Sequence, residues 1–497
     1  MSTGFRFRAY PSDDVARVLL RWIGCQRFIY NSKVREDQYH RRFQRKTLAL
    51  AGQWAPVDQA YSHFIGDGNG CEESSTTWLR EVPSHVLRNG AVRWYQSYQR
   101  FFKGLARRPA IQHRYGEQSV WLTGELFEFK PVAGAGGEIT CWRLLIGTRK
   151  FPCGELPFVA HRQGWTPPKS IHVSVHAGRW HVSFSNEPSS TDVPLPAEAD
   201  TLAYLRQFSA EELLARTVGL DRGVAIPLVA SRASGEPIRF ELLDAQKERL
   251  ARKEAQRKRW QRRAARRVKG SKNRAKANLK AARCAQYAAD VRQNMAHQAS
   301  RALVNSNALL YVFESLQVKS MTRSGKGSVD EPGRRVKQKS GLNRAILGSA
   351  WGSVKLYTKY KAIAAGKLVI DVPPHHSSQE CSQCGYTHAD NRLDQARFVC
   401  QRCGHAENAD ANAARVLARR GVDAIVSGSY TLRERKKVGS LRRQTVQQEH
   451  QPGPERSSVS AEAAVRRRVR KHSVHVPEKQ KNPVVRQETP TTAASAV

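Results

Sequence analysis

Four cysteines in the last third of the chain have the spacing of a metal site. Cys381, Cys384, Cys400 and Cys403 form two Cys-x-x-Cys pairs that are separated by 15 residues. This spacing is typical of a tetrahedral zinc site with four cysteine ligands. A redox pair is the alternative, but the pattern lacks the βαβ context of a redox fold. Because four thiolates complete the coordination of zinc, the sequence predicts a structural Zn²⁺ ion in a zinc ribbon.

Three carboxylates stand where the chain could hold a second kind of metal. Asp221 follows the apolar run VGL, Glu314 follows LLYVF, and Asp410 precedes ANAARVLARR. Asp221 could be an ordinary turn aspartate, and Asp410 could simply favour a helix N-terminus. A glutamate at the end of a buried strand, however, is costly unless it is paired or bound to a metal. Two Mg²⁺ ions held by such oxygens can activate water and stabilise the leaving oxygen of a phosphodiester.

The net charge indicates the kind of partner. The 497 residues include 83 Lys and Arg against 43 Asp and Glu, which gives a formal net charge of +40, and 40% of the residues are hydrophobic. The hydrophobic fraction is typical of a globular protein, but this excess of charge destabilises a compact chain unless a polyanion neutralises it. We therefore expect nucleic-acid binding. Membrane-surface binding is the weaker alternative, because the basic stretches lack large apolar faces.

Targeting and cysteine patterns predict a protein that stays inside the cell. The first residues, MSTGFRFRAYPSDD, lack the apolar stretch of a secretory signal. No run of about 18 apolar residues predicts a membrane span. Five of the nine cysteines are scattered in a way that does not resemble a disulfide framework. The expected location is the prokaryotic cytoplasm, in association with the nucleoid, with no membrane partner.

The first half of the chain changes from helical to strand-like patterns. Residues 5–10 alternate as a strand, and capped, aromatic-rich helices are predicted from there to about residue 117. Short alternating runs follow over 118–190, including a hairpin that turns at Ala177 and Gly178. The aromatic residues of the helical part are expected in the core, with base stacking as the alternative.

The second half contains a strongly basic segment. Residues 247–283 carry 17 Lys and Arg against two glutamates, in an Ala-rich helical context that is broken at Gly270 and Ser271. Like charges at helical spacing repel one another, so this pattern favours a basic helical pair that lies on phosphates over a merely solvated face. Buried strands are predicted within 308–318 and 367–374.

Several motifs together resemble one family of proteins. The segments VGLDRGV, YVFESLQVKSM, SSQECSQCG, CQRCGH and NADANAARVL are similar, in this order, to the RuvC-like nuclease and inserted zinc ribbon of transposon-encoded TnpB proteins. Miniature type V CRISPR effectors share the same set. Weaker similarities in RAYPSDDV, CQRFIYN, RFFKG and HVSFSNE extend the resemblance over most of residues 5–420. The chain departs from the family at Asn408, where an acidic residue is common, and at Arg222, where an apolar residue is common.

The resemblance implies a mixed α/β multidomain fold. It consists of an RNase H-like (RuvC) nuclease domain with an inserted four-cysteine zinc ribbon, an N-terminal helical recognition domain and a β-barrel wedge domain. In the N-terminal half, the implied boundaries are 1–12 for the first wedge strand, 13–117 for the recognition domain, 118–190 for the wedge and 191–200 for a linker. The nuclease would extend over 201–375, with a basic helical pair over 245–304, and would end with 406–420. The ribbon over 376–405 would be a target nucleic-acid-binding element, and 421–497 would be a basic tail expected to be disordered.

The resemblance also implies RNA-guided DNA cleavage. Asp221, Glu314 and Asp410 would be the catalytic residues and the Mg²⁺ ligands. A guide RNA would read the target DNA by base pairing, while the protein would read a short flanking motif. The protein would act as a monomer or as a homodimer on one RNA.

The biological setting has several candidates. The length of the chain and its basic tail favour a miniature type V effector of CRISPR defence, of subtype V-N. A TnpB nuclease of a transposon is the near alternative. A non-cleaving RNA-guided silencer and a DNA-joining transposase are the further alternatives.

Overall fold

The computed structural model describes residues 4–51, 57–66, 76–114, 116–133, 139–162, 164–186, 195–328 and 331–432, and every structural statement below concerns these residues. Residues 191–194 of the predicted linker and residues 433–497 of the predicted tail lie outside them. No helix in the described ranges is long and apolar enough to cross a membrane.

A seven-stranded antiparallel sheet forms the first layer of the molecule. Its strands are β1 (Gly4–Ala9), β2 (Gln118–Thr123), β3 (Phe127–Ala133), β4 (Ile139–Gly147), β5 (Pro152–Val159), β6 (Ser170–His176) and β7 (Arg179–Ser185). The strand order is β2-β6-β7-β1-β5-β4-β3, so the first strand of the chain lies in the middle of the sheet. The predicted hairpin is confirmed, since β6 and β7 are joined by Ala177 and Gly178, which both have positive φ. Closure of this sheet into a barrel and a wedge role remain predictions.

Helices from the N-terminal part pack against this sheet. They are α1 (Asp13–Tyr39) and α3 (Ser84–Phe102), whereas α2 (Arg45–Leu50) has no buried residue. The predicted cap of α1 is confirmed, because Val15 N donates a hydrogen bond of 3.3 Å to Ser12 Oγ. The prediction of helices as far as residue 117 is wrong: α3 ends at Phe102, and Gly104 follows with a φ of 67°, a left-handed turn that stops the helix.

The second sheet has five strands of mixed direction. They are β8 (Thr217–Asp221), β9 (Leu228–Ser231), β10 (Ile238–Phe240), β11 (Leu310–Glu314) and β12 (Leu368–Val372). The order is β10-β9-β8-β11-β12, with β8, β11 and β12 parallel and β9 and β10 antiparallel. The two strands predicted within 308–318 and 367–374 are confirmed as β11 and β12.

Helices cover both faces of the five-stranded sheet. The helices on its faces are α4 (Glu198–Leu205), α5 (Ala210–Ala215), α7 (Lys272–Val304), α10 (Trp351–Ala364) and α11 (Ala409–Val426). The same part of the chain also contains α6 (Asp244–Ala265), which packs against α7, and α8 (Val318–Met321) and α9 (Val336–Gly348). The residues of β11 alternate between the two faces: Tyr311 and Phe313 pack in the cluster that contains α7 and α10, while Leu310 and Val312 pack in the cluster that contains α4, α5 and α11. Burial on both sides explains the uninterrupted apolar run that predicted this strand.

Two predicted boundaries need correction. Helix α4 begins at Glu198, so the last residues of the linker predicted over 191–200 are helical. The helix forms because Leu202 and Leu205 are buried against the sheet. Helix α11 continues to Val426, past the predicted end of the nuclease at 420, because Val422 and Ile425 are buried in the same cluster.

The ribbon lies in the chain between β12 and α11. It contains a short antiparallel pair, β13 (Arg397–Val399) and β14 (Ala406–Asn408), in which Arg397 is opposite Asn408. Because β14 ends where α11 begins, the ribbon is joined without a linker to the helix that carries Asp410.

Candidate metal centres

Asp221 and Glu314 lie side by side at one edge of the five-stranded sheet. Strands β8 and β11 are parallel neighbours in a register that pairs Leu220 with Phe313. The next residue of each strand is therefore a carboxylate, at the C-terminal end of the strand. Since side chains alternate along a strand, Glu314 projects from the same face as Val312, which packs towards α11.

Helix α11 brings Asp410 to the same place. The helix passes so close to β8 that a Cβ atom on Gly219 would lie 1.7 Å from the backbone oxygen of Ala414. Asp410 precedes Ala414 by four residues and shares its helix face, while Asp221 follows Gly219 by two residues and shares its strand face. The close contact thus directs both aspartates into one space.

The first turn of α11 is fixed by its cap. The Oδ1 atom of Asn408 accepts hydrogen bonds from Asp410 N at 3.2 Å and Ala411 N at 3.3 Å. An asparagine here caps the helix without adding a negative charge. Asn408 stands where an acidic residue is common in the family that the sequence resembles. It nevertheless keeps the backbone of Asp410 in place.

The three carboxylates interact electrostatically. Burial, and next the charges of Glu314 and Asp410, raise the pKa of Asp221 to about 7. Burial also raises the pKa of Glu314 and of Asp410. The structure thus brings together the three residues that the sequence singled out, and their negative charges are only partly compensated.

Two arginines contact this carboxylate cluster. Arg222 is buried and donates from Nη2 to the backbone oxygen of Glu314, and its Nε lies 3.9 Å from Glu314 Oε1. Arg392, which belongs to the ribbon, has its Nη2 4.0 Å from Asp410 Oδ1. Arg222 lowers the pKa of Glu314, and Arg392 lowers that of Asp410 and Asp221, in each case against the larger effect of burial. Sequence reasoning missed Arg392, because nothing in the ribbon motif points from it to Asp410.

The donor set fits a hard divalent cation. Mg²⁺ prefers carboxylate oxygens, and the raised pKa of Asp221 indicates negative charge that a cation would stabilise. Among the described residues, however, only the four cysteines gather their donor atoms within 4.8 Å of one another. The donor atoms of the three carboxylates are therefore not all within 4.8 Å of one another.

The four cysteines converge as the sequence predicted. The Sγ atoms of Cys381 and Cys403 are 3.7 Å apart, and those of Cys384 and Cys400 are 3.5 Å apart. A tetrahedral zinc ion with Zn–S bonds of about 2.3 Å would place its sulfur atoms about 3.8 Å apart. The cluster therefore has the size of a four-cysteine zinc site, and its four thiolates complete the tetrahedral coordination of such an ion.

Each cysteine pair sits on a tight turn. Gly385 N donates to Cys381 O and Gly404 N donates to Cys400 O, both at 3.0 Å. The two glycines have φ values of 73° and 70°, in the left-handed region that other residues rarely adopt. These turns aim backbone N–H groups towards the sulfur atoms, as shown by the contact of 3.4 Å from Arg402 N to Cys400 Sγ.

The ribbon is anchored on helix α11. Asn412 is buried, and it accepts from Ser382 N at 2.9 Å and donates to Glu380 O at 2.8 Å. The carboxylate of Glu380 pairs with both Arg419 and Arg420 of the helix. These residues were missed by sequence reasoning, since their pairing depends on a fold that the local pattern does not reveal.

The predicted basic helical pair is confirmed as α6 and α7, which are separated at Gly270 and Ser271. Most of the Lys and Arg side chains of this pair are exposed. Trp260 lies between two cations, with Lys280 Nζ at 4.4 Å and the guanidinium carbon of Arg263 at 5.3 Å from its ring centroid. The pair thus presents a dense positive surface that includes an aromatic ring.

Three family models match parts of the chain. The model described as "Cas12f1-like, TNB domain" matches residues 351–417, "Probable transposase" (OrfB_IS605) matches 201–325, and "Helix-turn-helix domain" (HTH_OrfB_IS605) matches 1–43. The second range contains Asp221 and Glu314, and the first contains the four cysteines and Asp410. The predicted resemblance to TnpB-like and miniature type V proteins is confirmed.

Similar proteins are known from several bacteria. "Putative RNA-guided DNA endonuclease InsQ" of Escherichia coli (strain K12) is 28% identical over 426 residues, which cover 85% of this chain and 93% of that protein. A "Putative RNA-guided DNA endonuclease" of Streptomyces pristinaespiralis is 27% identical over 459 residues, 90% of this chain and 96% of that one. "CRISPR-associated endodeoxyribonuclease Cas12f1" of Sulfoacidibacillus thermotolerans is 47% identical over 70 residues, 14% of this chain and 17% of that one.

The first prediction concerns the cysteine cluster. We expect one Zn²⁺ per chain, and we expect Cys381→Ser or Cys400→Ser to lose it and to unfold the ribbon, because three thiolates do not complete the tetrahedral site. Native mass spectrometry measures the stoichiometry. Cys284→Ser, which changes a buried cysteine of α7 outside the cluster, is the matched control and should retain the ion. A wild-type protein without zinc would contradict the assignment.

The second prediction concerns the pH dependence of stability. The folded-state pKa of Asp221, about 7, lies above its ordinary value of 3.8. Between these values the folded protein binds more protons than the unfolded chain, so the free energy of unfolding falls as the pH rises through about 7. In zinc-loaded protein without added Mg²⁺, Asp221→Asn should be more stable than wild type by up to about 4 kcal/mol at about pH 8, and the difference should shrink towards about pH 5.

Scanning calorimetry at several pH values measures this difference. Asp423→Asn, on the exposed side of α11, is the matched control and should show no pH-dependent difference from wild type. A constant difference between wild type and Asp221→Asn over the same pH range would contradict the burial of Asp221 among like charges.

Proposed function

We propose that this chain is an RNA-guided DNA endonuclease that hydrolyses phosphodiester bonds at the carboxylate cluster of Asp221, Glu314 and Asp410. The observation that carries the proposal is the meeting of these three carboxylates at one sheet edge, next to a helix that is continuous with the cysteine cluster. The names of the two relatives that match most of the chain support the same activity.

The three carboxylates would hold Mg²⁺ in this proposal. When bound, the metal supplies activation of water and stabilisation of the leaving oxygen. Asp221 and Glu314 hold their places through the pairing of β8 with β11, and Asp410 holds its place through the Asn408 cap and the contact of α11 with Gly219. Arg392 lies beside Asp410, where its guanidinium can also meet a phosphate oxygen of the DNA.

Zinc would have a structural role. Cys381, Cys384, Cys400 and Cys403 would bind it with four thiolates, which leaves no open position for a reacting group. In isolated zinc fingers, metal binding contributes roughly 10–16 kcal/mol to folding. Here that free energy would stabilise the segment that presents Arg392 and that leads into Asp410.

The basic helical pair would contact the nucleic-acid backbone. Its exposed Lys and Arg side chains offer charge without a fixed pattern of base-reading groups, which suits phosphates rather than bases. Recognition of the target sequence would come from guide RNA pairing, and the protein would read a short flanking motif.

The proposed layout keeps the seven-stranded sheet as a wedge domain, α1 to α3 as a recognition domain and the ribbon as a target nucleic-acid-binding element. The stoichiometry would be a monomer or a homodimer on one RNA, in the prokaryotic cytoplasm and near the nucleoid.

The biological setting has two candidates. A CRISPR effector of the miniature type V class is supported by the Cas12f1-like match over 351–417. A transposon-encoded TnpB nuclease is supported by the "Probable transposase" match and by relatives that cover most of the chain. Sequencing the RNA that copurifies with the protein, expressed with its native flanking DNA, separates them: spacer-repeat RNA supports the effector, and RNA from a transposon end supports the TnpB nuclease.

The third prediction tests the carboxylate cluster. Asp221→Ala, Glu314→Ala and Asp410→Ala should each abolish Mg²⁺-dependent cleavage of target DNA, and double variants should be scarcely worse, because residues that act as one unit have non-additive effects. Guide-directed DNA binding should survive in all of them. Cleavage and binding are measured side by side, with guide RNA, target and Mg²⁺ present.

Asp423→Ala is the matched control for this test. It removes an exposed carboxylate in the last turn of α11, away from the cluster, and it should cut like wild type. If wild type binds its target but cuts nothing with any divalent metal, the silencing alternative replaces the proposal. Normal cutting by Asp410→Ala alone would mean that the third carboxylate is misassigned.

The fourth prediction tests the basic helical pair. Changing four exposed arginines to glutamine together should weaken binding equally on all sequences and should flatten its salt dependence by up to about 0.9 log units of slope per lost phosphate contact on duplex DNA; the four are Arg262, Arg263, Arg266 and Arg267. Titrations at several salt concentrations measure the slope.

The control for these titrations uses two exposed arginines of α1. Arg17 is paired with Asp14 and Arg21 with Glu81, so neither offers a free charge. Their change to glutamine should leave the slope nearly unaltered. An unaltered slope in the fourfold variant as well would show that α6 and α7 are merely solvated.

A further inference from the structure

Arg222 lies within the carboxylate cluster. It follows Asp221 directly, and its side chain is 3% exposed. Its guanidinium donates from Nη2 to the backbone oxygen of Glu314, and its guanidinium carbon is 5.6 Å from the ring centroid of Phe313. Phe313 faces away from α11, which is the helix that carries Asp410. The guanidinium of Arg222, which lies near Phe313, is therefore on the other side of Glu314 from Asp410.

The charge of Arg222 is incompletely satisfied. Its Nε is buried and has no hydrogen-bond partner, although Glu314 Oε1 is 3.9 Å away. A buried guanidinium normally has carboxylate oxygens at hydrogen-bond distance, because the loss of hydration is costly. Here the Glu314 carboxylate is the single ion-pair partner of Arg222 within 4.0 Å among the described residues.

This arrangement opposes the binding of a divalent cation to Glu314. A guanidinium and a metal ion on the same carboxylate repel each other, and the repulsion is strong where water is excluded. The negative charge of Glu314 attracts Arg222 and an ion beside Asp221 and Asp410 alike, so the two cations compete for it.

We propose that Arg222 is a positioning residue that acts as the resident counter-ion of Glu314 in the metal-free centre and lowers the affinity of the centre for divalent ions. The proposal rests on the proposed function, since it takes Glu314 as a metal ligand. The charge of Arg222, rather than its volume, is the property that sets the metal affinity. Metal binding therefore includes the release of Glu314 from Arg222.

Titration with Mn²⁺ tests the proposal on the full, zinc-loaded chain without nucleic acid. The signal of free Mn²⁺ in electron paramagnetic resonance gives the affinity directly, independently of cleavage. Arg222→Gln and Arg222→Met remove the charge, and both should bind Mn²⁺ about tenfold more tightly than wild type, because the repulsion is lost. Arg222→Lys keeps the charge and should retain the wild-type affinity. Retained zinc and a calorimetric unfolding transition show that each variant is folded.

Two further variants locate the effect. In a Glu314→Gln background, Arg222→Gln should raise the Mn²⁺ affinity much less than it does with Glu314 present, because only the direct repulsion between Arg222 and the ion then remains. Arg93→Gln changes another partly buried arginine, which lies in α3 and donates to Gln26, and it should leave Mn²⁺ binding unchanged.

Equal affinities in wild type and in both neutral variants would overturn the proposal. An equal gain in Arg222→Lys and Arg222→Gln would also overturn it, since packing and not charge would then be responsible. Asp221→Asn separates this failure from failure of the proposed function. If Asp221→Asn removes Mn²⁺ binding but Arg222→Gln brings no gain, only the role of Arg222 is wrong. If Asp221→Asn leaves Mn²⁺ binding unaltered, the ion binds elsewhere and the proposed function fails with it.

Discussion

The contact between strand β8 and helix α11 sets the position of the whole candidate centre. A side chain at residue 219 would collide with the backbone of Ala414, so the two elements approach as closely as a glycine permits. Gly421 permits a second close approach, since a Cβ there would lie 2.3 Å from a methyl group of Val312 on β11. The helix is thus held against both strands that end in a carboxylate. Asp410 reaches Asp221 and Glu314 because the backbones are close, and not because of any attraction between like charges, which repel.

The electrostatics of the molecule have two opposite parts. The chain as a whole carries a net charge of +40, which attracts nucleic acid, whereas the candidate centre concentrates negative charge in a buried place. Arg222, which directly follows β8, lies beside Glu314, and Arg392 of the ribbon lies beside Asp410, so that both arginines reduce this repulsion. The cysteine cluster is coupled to the same centre through covalent continuity and through the pairing of Glu380 with Arg419 and Arg420. Folding of the ribbon therefore affects the position of Asp410 and of Arg392.

The sequence predicted the parts of this arrangement that depend on local patterns. The Cys-x-x-Cys pairs, the apolar run of β11, the hairpin at Ala177 and Gly178 and the break between α6 and α7 each follow from residues that are close in the chain. The convergence of three distant carboxylates was expected from the resemblance, since no local pattern contains it. The aromatic-rich sequence predicted helix beyond Phe102, but the left-handed Gly104 ends the helix there. The contacts of Arg222, Arg392 and Glu380 could not be predicted, because they depend on packing between segments far apart in sequence.

Anomalous diffraction from crystals of the full chain with guide RNA and target DNA, grown with Mn²⁺, tests the central claim most directly. If the three carboxylates form the cleavage centre, anomalous peaks should lie within about 2.2 Å of carboxylate oxygens of Asp221, Glu314 and Asp410 and next to a phosphate of the target strand. A separate zinc peak at the four cysteines serves as the internal reference. Manganese peaks elsewhere, with none at the ends of β8 and β11, would contradict the account.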